Sequence, residues 1–248
     1  MSWRLSHPAS WFRWHRWLGY LVGIQVFLWI AGGLVFAWLP FQEQVKSGAL
    51  VRAPALALDA QAWQALRERG LAFTPQGLTG LKLLPSAQGP VIQWKDGAGQ
   101  GCRRLDGTPC QAVDEAQAVA FARSLYQGPA TTPVSVARLQ AGAPTQWGIV
   151  REFRSTSPAW QVRFQDDWQQ RVYVSVATGE YLGARNDRWV LYDFFWRLHV
   201  MDYSEGEDFN HPLIKVASGL ALLLSLSGVV MLVFALRRQW RRWRGQRA

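Results

Sequence analysis

The sequence predicts an α+β region carried on two transmembrane helices, and three observations predict it. Residues 17–42 and 216–236 hold no charged side chain, and each stretch reaches the roughly 20 apolar residues needed to cross a bilayer core. The tails beyond them, 1–16 and 237–248, hold nine arginines and no acid, so +9 of the net +10 charge lies close to the apolar stretches. The segment between reads twice as a helix followed by strands joined through tight turns, the pattern of α+β units.

These observations also exclude. A polytopic transporter needs a third or fourth span, and the sequence offers only these two. A nucleic-acid binder spreads basic charge over a folded face, and here that charge is confined to the tails, so no nucleic-acid partner is expected. The placement follows the positive-inside rule, which puts both termini in the cytoplasm and the middle outside. The 15 tryptophans agree: Trp11, Trp14 and Trp17 mark one end of the first span and Trp38 the other. Trp189 and Trp196 precede the second span, and Trp240 and Trp243 follow it.

In chain order, 1–16 is a basic cytoplasmic tail and 17–39 the first transmembrane helix, ended by Pro40. Its apolar run exceeds the roughly 7–15 residues of a signal-peptide core, so it reads as an uncleaved anchor. Gly19 and Gly23 form a G-x-x-x-G pair, and Gln25 is a lone amide that needs a partner within the membrane. Residues 40–112 form the first helix-plus-sheet unit, with a helix from Asp59 to Arg69 and strands at Leu78–Leu84, Pro90–Lys95 and Gly101–Leu105. Residues 113–185 form the second, with a helix from Asp114 to Tyr126 and strands at Val134–Leu139, Gly148–Phe153, Trp160–Phe164 and Arg171–Val176. Asp59 and Asp114 suit the N-cap position. Residues 186–211 are an interfacial segment, 212–236 the second transmembrane helix and 237–248 a basic cytoplasmic tail. Ala217, Ala221 and Ser225 lie four apart, a small-residue seam that complements the glycines of the first span.

Two segments carry a family resemblance. Trp160–Phe164 followed by Arg171-Val172-Tyr173-Val174-Ser175-Val176-Ala177-Thr178-Gly179-Glu180 resembles the strand–turn–strand of the PepSY domain. His15-Arg16-Trp17-Leu18-Gly19, with Leu198-His199, Ser218-Gly219 and Ser227-Gly228, resembles the spans of PepSY-associated transmembrane proteins. The resemblance implies two PepSY-like units, a bacterial inner (plasma) membrane location with the middle periplasmic, and a role in transmembrane electron transfer or metal/siderophore reduction. It raises haem b as a cofactor. Larger relatives have four spans, so a two-span chain needs a second copy or a membrane-complex partner, besides the lipid bilayer, to enclose a haem. Two non-enzymatic roles compete: a periplasmic module that binds or inhibits a partner protein, and an assembly factor for a membrane complex.

Candidate haem ligands are His15 at the inner face and His199 and His211 at the outer face; one haem cannot bridge faces about 30 Å apart. A bis-histidine site therefore needs His15 from two chains, or His199 and His211 from one or two. The competing reading of His15 is an interfacial cation in a basic aromatic motif. His7, the fourth histidine, lies at the inner face. Cys102 and Cys110 are the only cysteines; outside the cytoplasm an even pair reads as a disulfide, with a redox-active pair as the alternative. The acidic run Asp202–Asp208 reads as a solvated loop, or as a site for a cation or a basic partner. No metal-ligand spacing and no hydrolase or nucleotide-binding signature is present.

Overall fold

The computed structural model describes residues 8–70, 77–140, 145–204, 208 and 210–245. The chain divides into a helical unit, Met1–Trp38 with Phe194–Ala248, and an α+β unit, Leu39–Asp193.

The helical unit is built on α1 (Pro8–Trp38) and α5 (Pro212–Gly245). Both are long and apolar enough to cross a membrane. They pack together as an antiparallel pair, with His15 against Ser227. On α1 the covered positions include Trp11, His15, Leu18, Val22, Gln25, Trp29, Gly32 and Phe36, spaced alternately by four and three. On α5 they include Ile214, Ala217, Ala221, Leu224, Ser227, Gly228 and Met231. Positions three and four apart keep one face of each helix turned toward its partner. The remaining large apolar side chains, among them Leu21, Ile24, Phe27, Ile30, Leu222, Leu226 and Val229, are exposed, as a lipid-facing surface requires.

This seam keeps Ala217 and Ala221 but not the rest of the small-residue pairing expected from sequence. A Cβ placed on Gly19 or Gly23 meets nothing within 4 Å. Ser225 is exposed and returns its hydroxyl proton to the Ala221 carbonyl. The alternation of four and three carries His15, Leu18, Val22 and Gln25 through the contact and leaves both glycines beside it.

The third helical element is α4 (Asp187–Val200), which the division crosses between Asp193 and Phe194. Its final carbonyls would be orphaned at a helix C-terminus. Two α1 side chains satisfy them: Gln25 Nε2 donates to the Leu198 carbonyl at 2.9 Å, and Trp29 Nε1 to that of His199 at 2.8 Å. The lone intramembrane amide thus has its partner. The sequence reading has this segment as interfacial without a helix.

In the α+β unit, α2 (Ala60–Ala65) starts at Asp59, whose carboxylate accepts from the Ala62 N–H at 2.7 Å, and runs into a π-helical turn, Leu66–Gly70. An antiparallel sheet follows, β1 (Gly80–Leu84), β2 (Val91–Asp96) and β3 (Gly99–Arg104), in that order. The second half repeats the plan. Its helix α3 (Glu115–Leu125) opens on a reciprocal Asp114–Gln117 capping box. Then come β4 (Val134–Leu139), β5 (Ala159–Phe164), β6 (Arg171–Ser175) and β7 (Tyr181–Arg185), a four-stranded antiparallel meander. Ala118, Ala122 and Leu125 of α3 pack on Val162, Phe164, Val172, Val174 and Ala184. The first half buries much less, centred on Leu66, Ile92 and Leu105.

Residues 148–153, expected as a strand, form a turn and a loop instead. Trp147 (φ 48°) and Gly148 (φ 78°) reverse the chain, and only Gln146 and Val150 bridge. The reason lies downstream: Glu152 and Phe153 are drawn onto β6, one by an ion pair with Arg171 and the other by stacking on Tyr173.

Candidate functional site

His15 lies two turns into α1, where its Nδ1 is 2.8 Å from Ser227 Oγ. The tautomer follows from the serine. Its single hydroxyl proton goes to the Leu224 carbonyl at 2.7 Å. Toward His15 the oxygen can then only accept, so Nδ1 carries a proton, and in the neutral ring Nε2 holds the lone pair. Gly228 leaves room for the ring; a Cβ there would stand 3.5 Å from His15 Cε1. A histidine whose second nitrogen donates to a fixed acceptor is the usual arrangement of a metal-bound imidazole.

His199 and His211 lie together at the other end of the helical unit. His211 Nε2 donates to the Val200 carbonyl at 2.9 Å, one residue beyond His199. The His199 ring packs between Trp29 and Phe36 of α1, at 6.0 and 5.9 Å between centroids, and its buried Nδ1 has no protein hydrogen-bond partner. Trp29 is fourteen residues from His15, about 21 Å along a helix rising 1.5 Å per residue. The fold therefore brings His199 and His211 together and keeps His15 apart from both. His7 lies outside the described residues, as do Glu205, Gly206 and Glu207. The described remainder of the acidic run is a folded loop: Asp202 accepts from the Ser204 and Asp208 amides, and Arg197 donates to the Ser204 carbonyl at 3.0 Å. Among the described residues, no three His, Cys, Asp or Glu side chains gather as a metal site.

In the α+β unit Cys102 and Cys110 form a disulfide, with Cα atoms 5.4 Å apart. It borders a polar groove of about 630 Å³ between the two sheets, lined also by Lys82, Trp94, Lys95, Thr178 and Glu180. The turn before Glu180 needs its glycine. Gly179 has φ +69°, and a Cβ would fall 2.8 Å from Val113 Cγ2. Its carbonyl accepts from the Ala87 amide, and Gln93 donates to the Glu180 carboxylate at 2.7 Å, tying the halves together.

On the face of the second sheet away from α3, charge is buried. Arg171, 1% exposed, meets Glu152 at 2.5 Å and the exposed Asp187 at 2.8 Å. Glu152 also accepts from Gln146 Nε2 and the Tyr173 hydroxyl. Burial pushes the Glu152 carboxyl up, with Arg171 and Tyr173 pulling it back. Burial, then the charge of Glu152, also raises the Tyr173 phenol. Burial lowers the neighbouring Arg185 guanidinium.

A family profile described as the PepSY-associated TM region matches residues 10–248. The chain belongs to the PepSY-associated transmembrane family. It is a membrane PepSY protein, with two apolar helices flanking an α+β middle of one helix and one antiparallel sheet per half. No curated protein and no solved structure matches it. The site features that sequence reasoning missed in this PepSY-associated protein are Ser227 as the partner of His15 and the buried Arg171–Glu152 pair. The first could be found only through the register of two helices 212 residues apart in sequence. The second had one signal: an arginine opening the alternating run of β6.

Proposed function

We propose that this PepSY-associated protein serves transmembrane electron transfer, toward reduction of a metal or its siderophore complex. It would work as a dimer or as a subunit of a larger membrane complex. The observation that carries this reading is the His15–Ser227 pair. It fixes the tautomer, holds the ring against α5 and leaves Nε2 as a lone-pair donor. That donor set fits haem iron. When bound there, haem supplies one-electron transfer. Ser227 would orient His15, and Gly228 would give its ring space. One chain contributes one imidazole at this level, so a second must come from another copy or partner. His211, whose Nε2 is held by the Val200 carbonyl, and His199, whose buried Nδ1 has no protein partner, would hold a further group at the other end. We place the protein in the bacterial inner membrane with both termini cytoplasmic, on the strength of the nine tail arginines. The test is the absorption spectrum of protein purified from haem-replete cells, for the wild type, His15→Ala and Ser227→Ala. A Soret band lost in His15→Ala and shifted or weakened in Ser227→Ala is expected. An unchanged band in His15→Ala removes this ligand.

One observation favours a second reading, a module that binds or inhibits a partner protein. The groove beside the disulfide is open, polar and lined from both sheets. Wild-type protein without a haem band, together with a partner whose crosslinking is lost on substituting Lys82 and Lys95, would select it.

A further inference from the structure

Where the ends of α1 and α5 meet, a groove of about 340 Å³ has an apolar floor of Phe12, Met231 and Phe234 and a rim of Arg237, Arg238 and Arg241. The spacing makes it one face: Phe234, Arg238 and Arg241 follow at i, i+4 and i+7. Residues 1–42 and 209–248 contain no Asp or Glu, so the sequence supplies no carboxylate at this end of the unit. Arg242 and Arg244 lie on the same helix but do not line the groove, and Arg244 instead packs over the Trp240 ring at 5.1 Å.

We propose that this groove binds an anionic phospholipid, its phosphate between Arg237, Arg238 and Arg241 and the start of an acyl chain on Phe12, Met231 and Phe234. Guanidinium forks match phosphate oxygens bidentately. Basic pockets between transmembrane helices at the water boundary take anionic headgroups. The floor selects lipid over free phosphate. Phe12 of that floor is itself exposed, so a ligand that offers both an anion and a hydrocarbon chain fills the arginine rim and the apolar floor together. The inference needs only a membrane-embedded helix pair and is independent of haem.

The experiment is native mass spectrometry of the full-length protein in mild detergent, titrated with phosphatidylglycerol or phosphatidylcholine. The wild type is compared with Arg238→Gln/Arg241→Gln and with Arg242→Gln/Arg244→Gln. The two double variants lose equal charge, and glutamine keeps the helix. Retention of phosphatidylglycerol over phosphatidylcholine by the wild type and by Arg242→Gln/Arg244→Gln is expected, with at least a tenfold loss in Arg238→Gln/Arg241→Gln. Equal loss in both double variants would mean diffuse attraction and would overturn the site, as would wild-type retention of both lipids alike. Displacement of the lipid by inorganic phosphate alone would reduce the groove to an anion site and overturn the lipid assignment.

Discussion

Replacing Arg171 by methionine removes one member of a buried ion pair and leaves the other. Arg171 is 1% exposed and Glu152 9%, and they meet at 2.5 Å. Breaking such a pair from one side costs about 3–5 kcal/mol, mostly from the stranded charge. At roughly 2–4 °C per kcal/mol for a chain of this size, the unfolding midpoint should fall by roughly 10 °C. The cost should also depend on pH. Burial already pushes the Glu152 carboxyl up, and loss of the neighbouring cation pushes it further. The folded variant then holds a proton that the unfolded chain releases above about pH 4.3. Stability is lost as pH rises through that window, by up to about tenfold in the folding constant per pH unit. The deficit should be large at pH 7.5 and shrink toward pH 5. Arg171→Met/Glu152→Gln should recover much of it at pH 7.5, because no charge is stranded. The assay is thermal unfolding of the detergent-solubilised protein, followed by tryptophan fluorescence across pH. A deficit that ignores pH, or a double variant no more stable than the single one, refutes the reasoning.

Three further outcomes follow from the same structure. Closing an eight-residue separation, the Cys102–Cys110 bond should contribute about 2–3 kcal/mol; reductant or Cys102→Ser/Cys110→Ser should lower the midpoint, and the unreduced protein should show no alkylatable thiol by mass spectrometry. Gly179→Ala combines a left-handed φ of +69° with a contact of 2.8 Å to Val113 and should cost about 2–4 kcal/mol in thermal unfolding. Asp114→Ala removes the carboxylate bond to the Gln117 amide, one of the two of a capping box, and should cost about 1 kcal/mol, whereas Asp59→Ala uncaps a helix that buries no side chain and should cost less. Amide exchange in the first turn of each helix separates the two.

What the sequence showed depended on whether a local signal existed. Asp59 and Asp114 cap helices because a short carboxylate before an apolar-periodic run can do little else, and both were legible. So were the strands with clean alternation, such as β6. Residues 148–153 were not. Gly-Ile-Val-Arg-Glu-Phe reads as a strand, but long-range bonds to Arg171 and Tyr173 decide its path, and local pattern carries no trace of them. The helix α4 was missed because Asp187, Arg188, Asp193 and Arg197 are scattered among its apolar residues and leave no stripe. Its one local sign was Asn186, whose Oδ1 accepts from the Trp189 amide as an N-cap while its Nδ2 reaches the Gln44 carbonyl. The histidines were visible as residue types. Which of them share a place was not, because that depends on helix register.

That register explains how a chain with two long apolar helices satisfies its first one. His15 of α1 meets Ser227, ten residues before Arg237 and so about 15 Å short of the basic end of α5 at 1.5 Å per residue. The antiparallel partner therefore covers the N-terminal part of α1 and runs out near Trp29, where α5 begins at Pro212. Beyond that level α1 still presents Gly32 and Phe36 on the same seam. The end of α4 takes over there: Phe195 packs on Gly32, the His199 ring on Phe36, and Gln25 and Trp29 close the last α4 carbonyls. One face of α1 is thus covered end to end by two successive helices. The other face, with Gly19, Gly23 and Gly33 open beside it, is left to lipid or to a second copy. If His15 ligates haem as proposed, the second axial imidazole must come from that outer side, because Ser227 already holds Nδ1 within the pair. Covalently linking two copies should then raise haem occupancy per chain if His15 is a ligand, and leave it unchanged if the outer face meets only lipid.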